Sequence, residues 1–167
     1  NDVVIKVQEN NAEAYELRGW ANFVYGKYKA AQSDFQAALA LDKNRPRTYF
    51  FLSKLHAREK RFKEALQAIS EAIIQKEDWV EAYGERALIR LELNELREAM
   101  EDCDRALALK EQPESKAPIY LIRGRIYQKQ DLPEREMADL NKAIALRPNF
   151  APAYLRRGQV RLRLAPE

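Results

Sequence analysis

Little in this sequence offers chemistry. Its 167 residues include one cysteine, Cys103, and one histidine, His56. A single thiol excludes an internal disulfide framework and any metal site built on paired cysteines, but it does not fix the redox compartment. Cys103 falls on an apolar inner position and reads as structural. His56 sits next to the expected core and reads as a packed interior residue rather than a general base. The five glycines form no phosphate-cradling loop, and no cluster has metal-ligand spacing. Acidic pairs such as Asp102 and Asp104 are two residues apart, so on a helix they point in different directions. Neither catalysis nor a cofactor is expected.

Long apolar runs are missing too. No stretch approaches the roughly 18 consecutive apolar residues of a membrane span, and no signal-peptide pattern opens the chain. That pattern favours a cytoplasmic setting. The compartment stays open, because the first residues read as the tail of a helix from a longer protein. β-Branched runs are absent and helix formers dominate. With 46% hydrophobic and 33% charged residues, the expectation is an all-α chain with alternating core and solvent faces. Charge is uneven: residues 1–115 carry 18 Lys+Arg against 21 Asp+Glu, net −3, and residues 116–167 carry 11 against 5, net +6.

What the chain does have is repetition. The stretch from Ala12 to Arg45 recurs from Pro46, Val80 and Ala117, and half of it again from Ala151, with starts 34, 34, 37 and 34 residues apart. Self-similarity at such a period signals stacked helical repeats. The expected organisation is the end of a preceding repeat helix over 1–11, then repeats over 12–45, 46–79, 80–116 (with a short insertion) and 117–150. Residues 151–167 supply the first helix of a fifth repeat or a capping helix. When each repeat is numbered from its first residue, position 8 is always small: Gly19, Ser53, Ala87, Gly124 and Gly158. Position 20 is Ala31, Ala65 and Ala99, and position 27 is Ala38, Ala72, Ala106 and Ala143. At these points two helices must approach closely. Position 4 is always tyrosine, and positions 24 and 28 are apolar, which gives each second helix a stripe at spacing three and four. Gly26, Lys60, Asn94 and Asp131 take the corner between helices, where a left-handed backbone is tolerated. Repeat four departs twice. Pro133 is expected to start its second helix late, and Glu136 replaces the small residue at position 20. Because an unpaired buried carboxylate is costly, that helix is expected to turn so as to expose Glu136.

This pattern resembles the tetratricopeptide repeat over nearly the whole chain. The resemblance implies a right-handed superhelical solenoid of antiparallel helix pairs, about four full repeats plus partial terminal helices, with a concave groove lined by the first helices. It also implies that positions 2, 5, 6, 9, 12 and 13 face that groove. On that basis Trp20, Phe23, Phe50 and Phe51 form an aromatic cluster, continued by Leu88, Leu91, Leu121 and Ile122. Lys54 and Arg58 lie beside it, and Arg125, Lys129, Arg156 and Arg163 make the carboxyl end basic. Two groove chemistries of the family are absent. The carboxylate clamp for chaperone tails is replaced by Glu16, Trp20, Phe51, Glu81 and Glu85, and the asparagines at position 6 that hold a peptide backbone are Leu17, Phe51, Glu85, Ile122 and Arg156.

The expected function is a protein-interaction scaffold that binds a peptide or helix of a partner, with an acidic segment selected by the basic end. One alternative is a homo-oligomer that stacks through uncapped ends, where Val160, Leu162 and Leu164 would be exposed among arginines. A weaker alternative is nucleic acid on the basic carboxyl end.

Overall fold

The structure, a computed structural model, describes residues 11–165. The expected helix end within 1–10 lies outside the described residues. Among those residues every regular element is helical. They fall into two compact bodies that divide between Glu77 and Asp78.

The amino-terminal body contains α1 (Ala12–Val24), α2 (Tyr28–Leu41), α3 (Pro46–Arg58) and α4 (Phe62–Gln75). The carboxy-terminal body contains α5 (Val80–Glu92), α6 (Leu96–Ala108), a 3₁₀ turn (Pro113–Lys116), α7 (Ala117–Lys129), α8 (Pro133–Leu146) and α9 (Ala151–Leu164). Helix starts follow local chemistry. The Asn11 side chain accepts a hydrogen bond from the Ala14 amide at 3.1 Å and caps α1. Pro46, Pro118, Pro133 and Pro152 sit in first turns, where a missing amide hydrogen costs nothing.

Four corners, after α1, α3, α5 and α7, are built alike. Gly26, Lys60, Asn94 and Asp131 have φ of 74°, 60°, 61° and 56°. At each corner the next amide donates five residues back, as Lys27 does to Asn22 and Arg61 to His56, both at 2.8 Å. The corner residue itself donates three back, as Gly26 does to Phe23 at 3.0 Å. This is the Schellman arrangement, which satisfies the last carbonyls of a helix and turns the chain back beside it. Paired helices lie side by side in consequence: α1 with α2, α3 with α4, α5 with α6 and α7 with α8.

The alanines at positions 20 and 27 are fully buried. In the amino-terminal body Ala31, Phe35 and Leu55 form a core against which Phe23, Tyr28, Phe51 and Leu52 pack. In the carboxy-terminal body the core is Ala117, Leu140, Ala143, Ala153 and Val160, with Leu121, Met137, Ile144 and Phe150 against it. Val160, expected on an exposed face, is therefore a core residue. Leu155 and Leu162 of α9 do face solvent.

Glu136 corrects the sequence expectation. Helix α8 does not turn it outward, and the residue has 0% exposure. Arg156 Nε donates to one carboxylate oxygen at 2.6 Å and Arg163 Nη2 to the other. Both arginines lie on α9, seven residues apart and so on one face of it. The desolvation cost is met by two charge-assisted partners instead of by exposure.

A candidate partner-binding surface

Helices α1 and α3 bring together the aromatic residues singled out in the sequence. The Trp20 ring stacks on Phe51 at 4.6 Å between centroids and on Phe23 at 5.5 Å. Phe50 meets Phe51 edge-on at 5.9 Å, and Phe51 reaches inward to Phe35 at 6.0 Å. Cations ring the cluster: Lys54 Nζ lies 5.1 Å above Phe50 and the Arg47 guanidinium 5.7 Å from Phe51. Trp20 is 36% exposed, and Leu17 and Val24 continue an open apolar strip along α1. Arg58 is exposed at the end of α3, where its Nε donates to the Tyr28 hydroxyl at 3.2 Å. The result is a rigid aromatic surface with a cationic rim, the composition of an interaction hot spot.

The carboxy-terminal body does not repeat it. Leu91 and Ile122, expected on the groove, are buried, and Leu88 and Leu121 are half-buried. The family pattern implied an exposed place for all four, but Ile122 packs toward Gly84 of α5. Arg125 is held by Glu92 at 3.2 Å, and Lys129 is exposed. Arg156, expected to select an acidic partner, is instead bound to Glu136, as is Arg163.

A second set of charged residues, not anticipated from the sequence, joins the helices of three repeats, with the aspartates buried and the arginines half-buried. Arg18, Arg86 and Arg123 (position 7) hold Asp34, Asp102 and Asp139 (position 23), with closest contacts of 2.5, 2.6 and 2.7 Å. In each case the guanidinium also lies over the tyrosine of position 4, at 5.5, 5.4 and 5.4 Å from the centroids of Tyr15, Tyr83 and Tyr120. The position 11 residue joins in repeats one and three: Asn22 donates to Asp34 at 2.9 Å and Arg90 to Asp102 at 2.8 Å. The Asp139 and Asp104 carboxylates hold the Arg123 pKa far above its ordinary value. An Arg–Asp spacing of 16 residues, repeated in three repeats, was the signal available in the sequence. Glu16 is also buried; Thr48 Oγ1 donates to it at 2.5 Å, with Arg45 and Arg47 at 3.5 and 3.6 Å.

His56 is buried, as read, and burial lowers its pKa. Burial also pushes the Cys103 thiol up to about 12, which leaves it a neutral core side chain. Among the described residues no group of acidic, histidine or cysteine side chains could hold a metal ion, and no helix is long and apolar enough to cross a membrane.

Comparison with known proteins agrees with this architecture. Family models described as tetratricopeptide repeat match residues 25–89 and residues 80–113 and 117–150. Human tetratricopeptide repeat protein 13 is 33% identical over 84 residues, half of this chain and 10% of that protein, so the chain spans about a tenth of its relative. Two solved structures share the fold. A thermophilic TPR protein of Thermus thermophilus has a TM-score of 0.81 at 19% identity, over 96% of this chain and 87% of that one. PilF of Pseudomonas aeruginosa has a TM-score of 0.82 at 15% identity, over 89% and 67%.

Proposed function

We propose that this chain, which belongs to the tetratricopeptide repeat family, is an interaction scaffold that binds a peptide or helix of a partner protein against the aromatic surface of α1 and α3. The observation that carries this reading is the Trp20–Phe51 stack, held from below by Phe35 and left open to solvent above. Rings fixed in advance lose little entropy on binding and bury a large apolar area. Arg47, Lys54 and Arg58 favour a partner segment that mixes apolar and acidic residues. Arg156 has no part in this selection, because its charge is spent on Glu136.

Selection of peptides from a displayed random library, followed by titration, tests the reading. Trp20→Ala with Phe50→Ala should weaken the selected peptides at least tenfold, about 1.4 kcal/mol, while the helical signal and unfolding midpoint stay close to the parent's. Affinity that is unchanged in the folded double variant would remove this surface from the function. A steep loss of peptide binding with salt, with no effect of the aromatic variants, would place the contact on cationic side chains and not on the rings.

One observation favours a second reading. Leu155 and Leu162 of α9 are exposed, Leu162 by 80%, beside Leu164. A second copy could cover them. Light scattering at rising concentration decides: a strict monomer ends this reading.

A further inference from the structure

Repeat two lacks the buried charge set of the other repeats. Tyr49 is present at position 4, but Leu52 and Ala68 stand where the others carry arginine and aspartate. What remains is a cavity of about 320 Å³, lined by Tyr49, Leu52, His56, Glu64, Ala68 and Glu71 among others. His56 is only 7% exposed, and its Nδ1 has no hydrogen-bond partner. Its counterparts Asn22 and Arg90 both bond to the aspartate that Ala68 replaces. A buried polar atom without a partner is uncommon and calls for one.

The surrounding charge indicates what would fit. Positions 19 and 26 are Ala30 and Ala37 in repeat one but Glu64 and Glu71 here. Gln75 Nε2 donates to Glu71 at 3.0 Å and holds that carboxylate at the rim. Burial first, and then the Glu71 charge, raise the Tyr49 pKa. Arg61 Nε donates to Glu64 at 3.1 Å and neutralises that carboxylate, so Glu71, the tyrosine face and the His56 nitrogen are the groups that suit a planar cation better than a compact one.

We propose that this cavity receives an arginine side chain of a partner protein. Its guanidinium takes the place over Tyr49 that Arg18, Arg86 and Arg123 take in their own repeats. It donates to Glu71 and to the unprotonated His56 Nδ1. Tyr49, Leu52 and His56 lie three and four residues apart along α3, on the side away from Phe50 and Lys54. The two sites are therefore separable on one helix.

The test uses the whole chain and N-acetyl-arginine amide as the probe, with the Tyr49 ring and His56 imidazole resonances followed by NMR. Saturable shifts at both residues are expected, with the lysine analogue at least about threefold weaker. Leu52→Arg with Ala68→Asp installs the missing internal pair and should abolish the shifts. Glu71→Gln leaves the helix packing alone and should weaken binding at least about fivefold. Trp20→Ala with Phe50→Ala should leave arginine binding unchanged, so failure here and failure of the aromatic surface are told apart. Absence of saturable shifts at Tyr49 and His56, equal response to the lysine analogue, or full binding by folded Leu52→Arg/Ala68→Asp or by Glu71→Gln would each overturn the assignment.

Discussion

Phe35 and Leu140 hold the same repeat position, and both are fully buried, yet their surroundings differ. Phe35 lies under a column of rings that continues through Phe51 to Trp20 and reaches solvent. Leu140 lies among alanines and Val160, with the Glu136–arginine cluster on the same pair of helices. One helical frame can thus be filled by stacked aromatics or by small residues and paired charges. The choice has consequences at the surface. Aromatic filling leaves ring surface exposed, whereas ionic filling draws arginines inward onto a buried carboxylate.

Substitutions can break this comparison, and the largest effect is expected at the column's foot. Phe35→Ala should destabilise the chain by about 3–5 kcal/mol and also loosen Phe51, so peptide binding falls with it. Leu140→Ala should cost about 2–5 kcal/mol and leave the aromatic surface intact. Urea titrations with Trp fluorescence and a binding assay separate the two outcomes. Equal loss of binding in both variants would mean that the column does not shape the surface.

Next comes the ionic filling. Arg156→Ala leaves Glu136 buried with Arg163 as its remaining partner, and should cost about 2–3 kcal/mol. Adding Glu136→Leu should recover most of that loss, because an apolar side chain needs no partner there. Failure of the second change to rescue would show that Glu136 is not the seat of the cost.

Gly19 and Gly124 sharpen the contrast at a single position. A Cβ on Gly19 would lie 2.7 Å from the Phe35 ring, but on Gly124 no closer than 3.8 Å to Glu136 or Leu140. Gly19→Ala should therefore destabilise by about 1–3 kcal/mol. Gly124→Ala should be neutral or stabilise by up to about 1 kcal/mol through helix propensity. Thermal melts of the two variants test the sign.

The smallest effect is a pH dependence. Burial lowers the folded-state pKa of His56 below its ordinary 6.5, so the folded chain prefers the neutral ring. Its contribution is complete above 6.5 and is lost as pH falls through the folded value. His56→Gln should flatten this part of the stability profile, measured by denaturant midpoints between pH 7.5 and 5. Cys103 offers a control for local opening: with its thiol buried and its pKa pushed up to about 12, alkylation should be slow until the chain unfolds.

Much of this was legible from residue order. Small residues at positions 8, 20 and 27 and the four corner residues are local requirements of close helix approach and of a left-handed turn, so they show directly as a period. The aromatic grouping of Trp20, Phe23, Phe50 and Phe51 was legible only through the resemblance to the repeat family, which implies the positions that successive first helices turn to one side. The two misread charges share a cause. Glu136 looked exposed because its partners are 20 and 27 residues away on another helix, and Arg156 looked available because its acceptor is on that same helix pair. Ion pairs that close across helices leave no local signature.

The order of residues by itself determined the all-α repeat and the corners, because each depends on neighbours within a turn or two of helix. Tertiary packing alone decided which charges are paired and which remain available. Arg18, Arg86, Arg123 and Arg156 are bound to carboxylates, whereas repeat two, with Leu52 and Ala68, is left with an open space and an unpartnered histidine nitrogen. The physical reason is that a charge's burial cost is set by groups brought beside it in three dimensions, not by its neighbours along the chain.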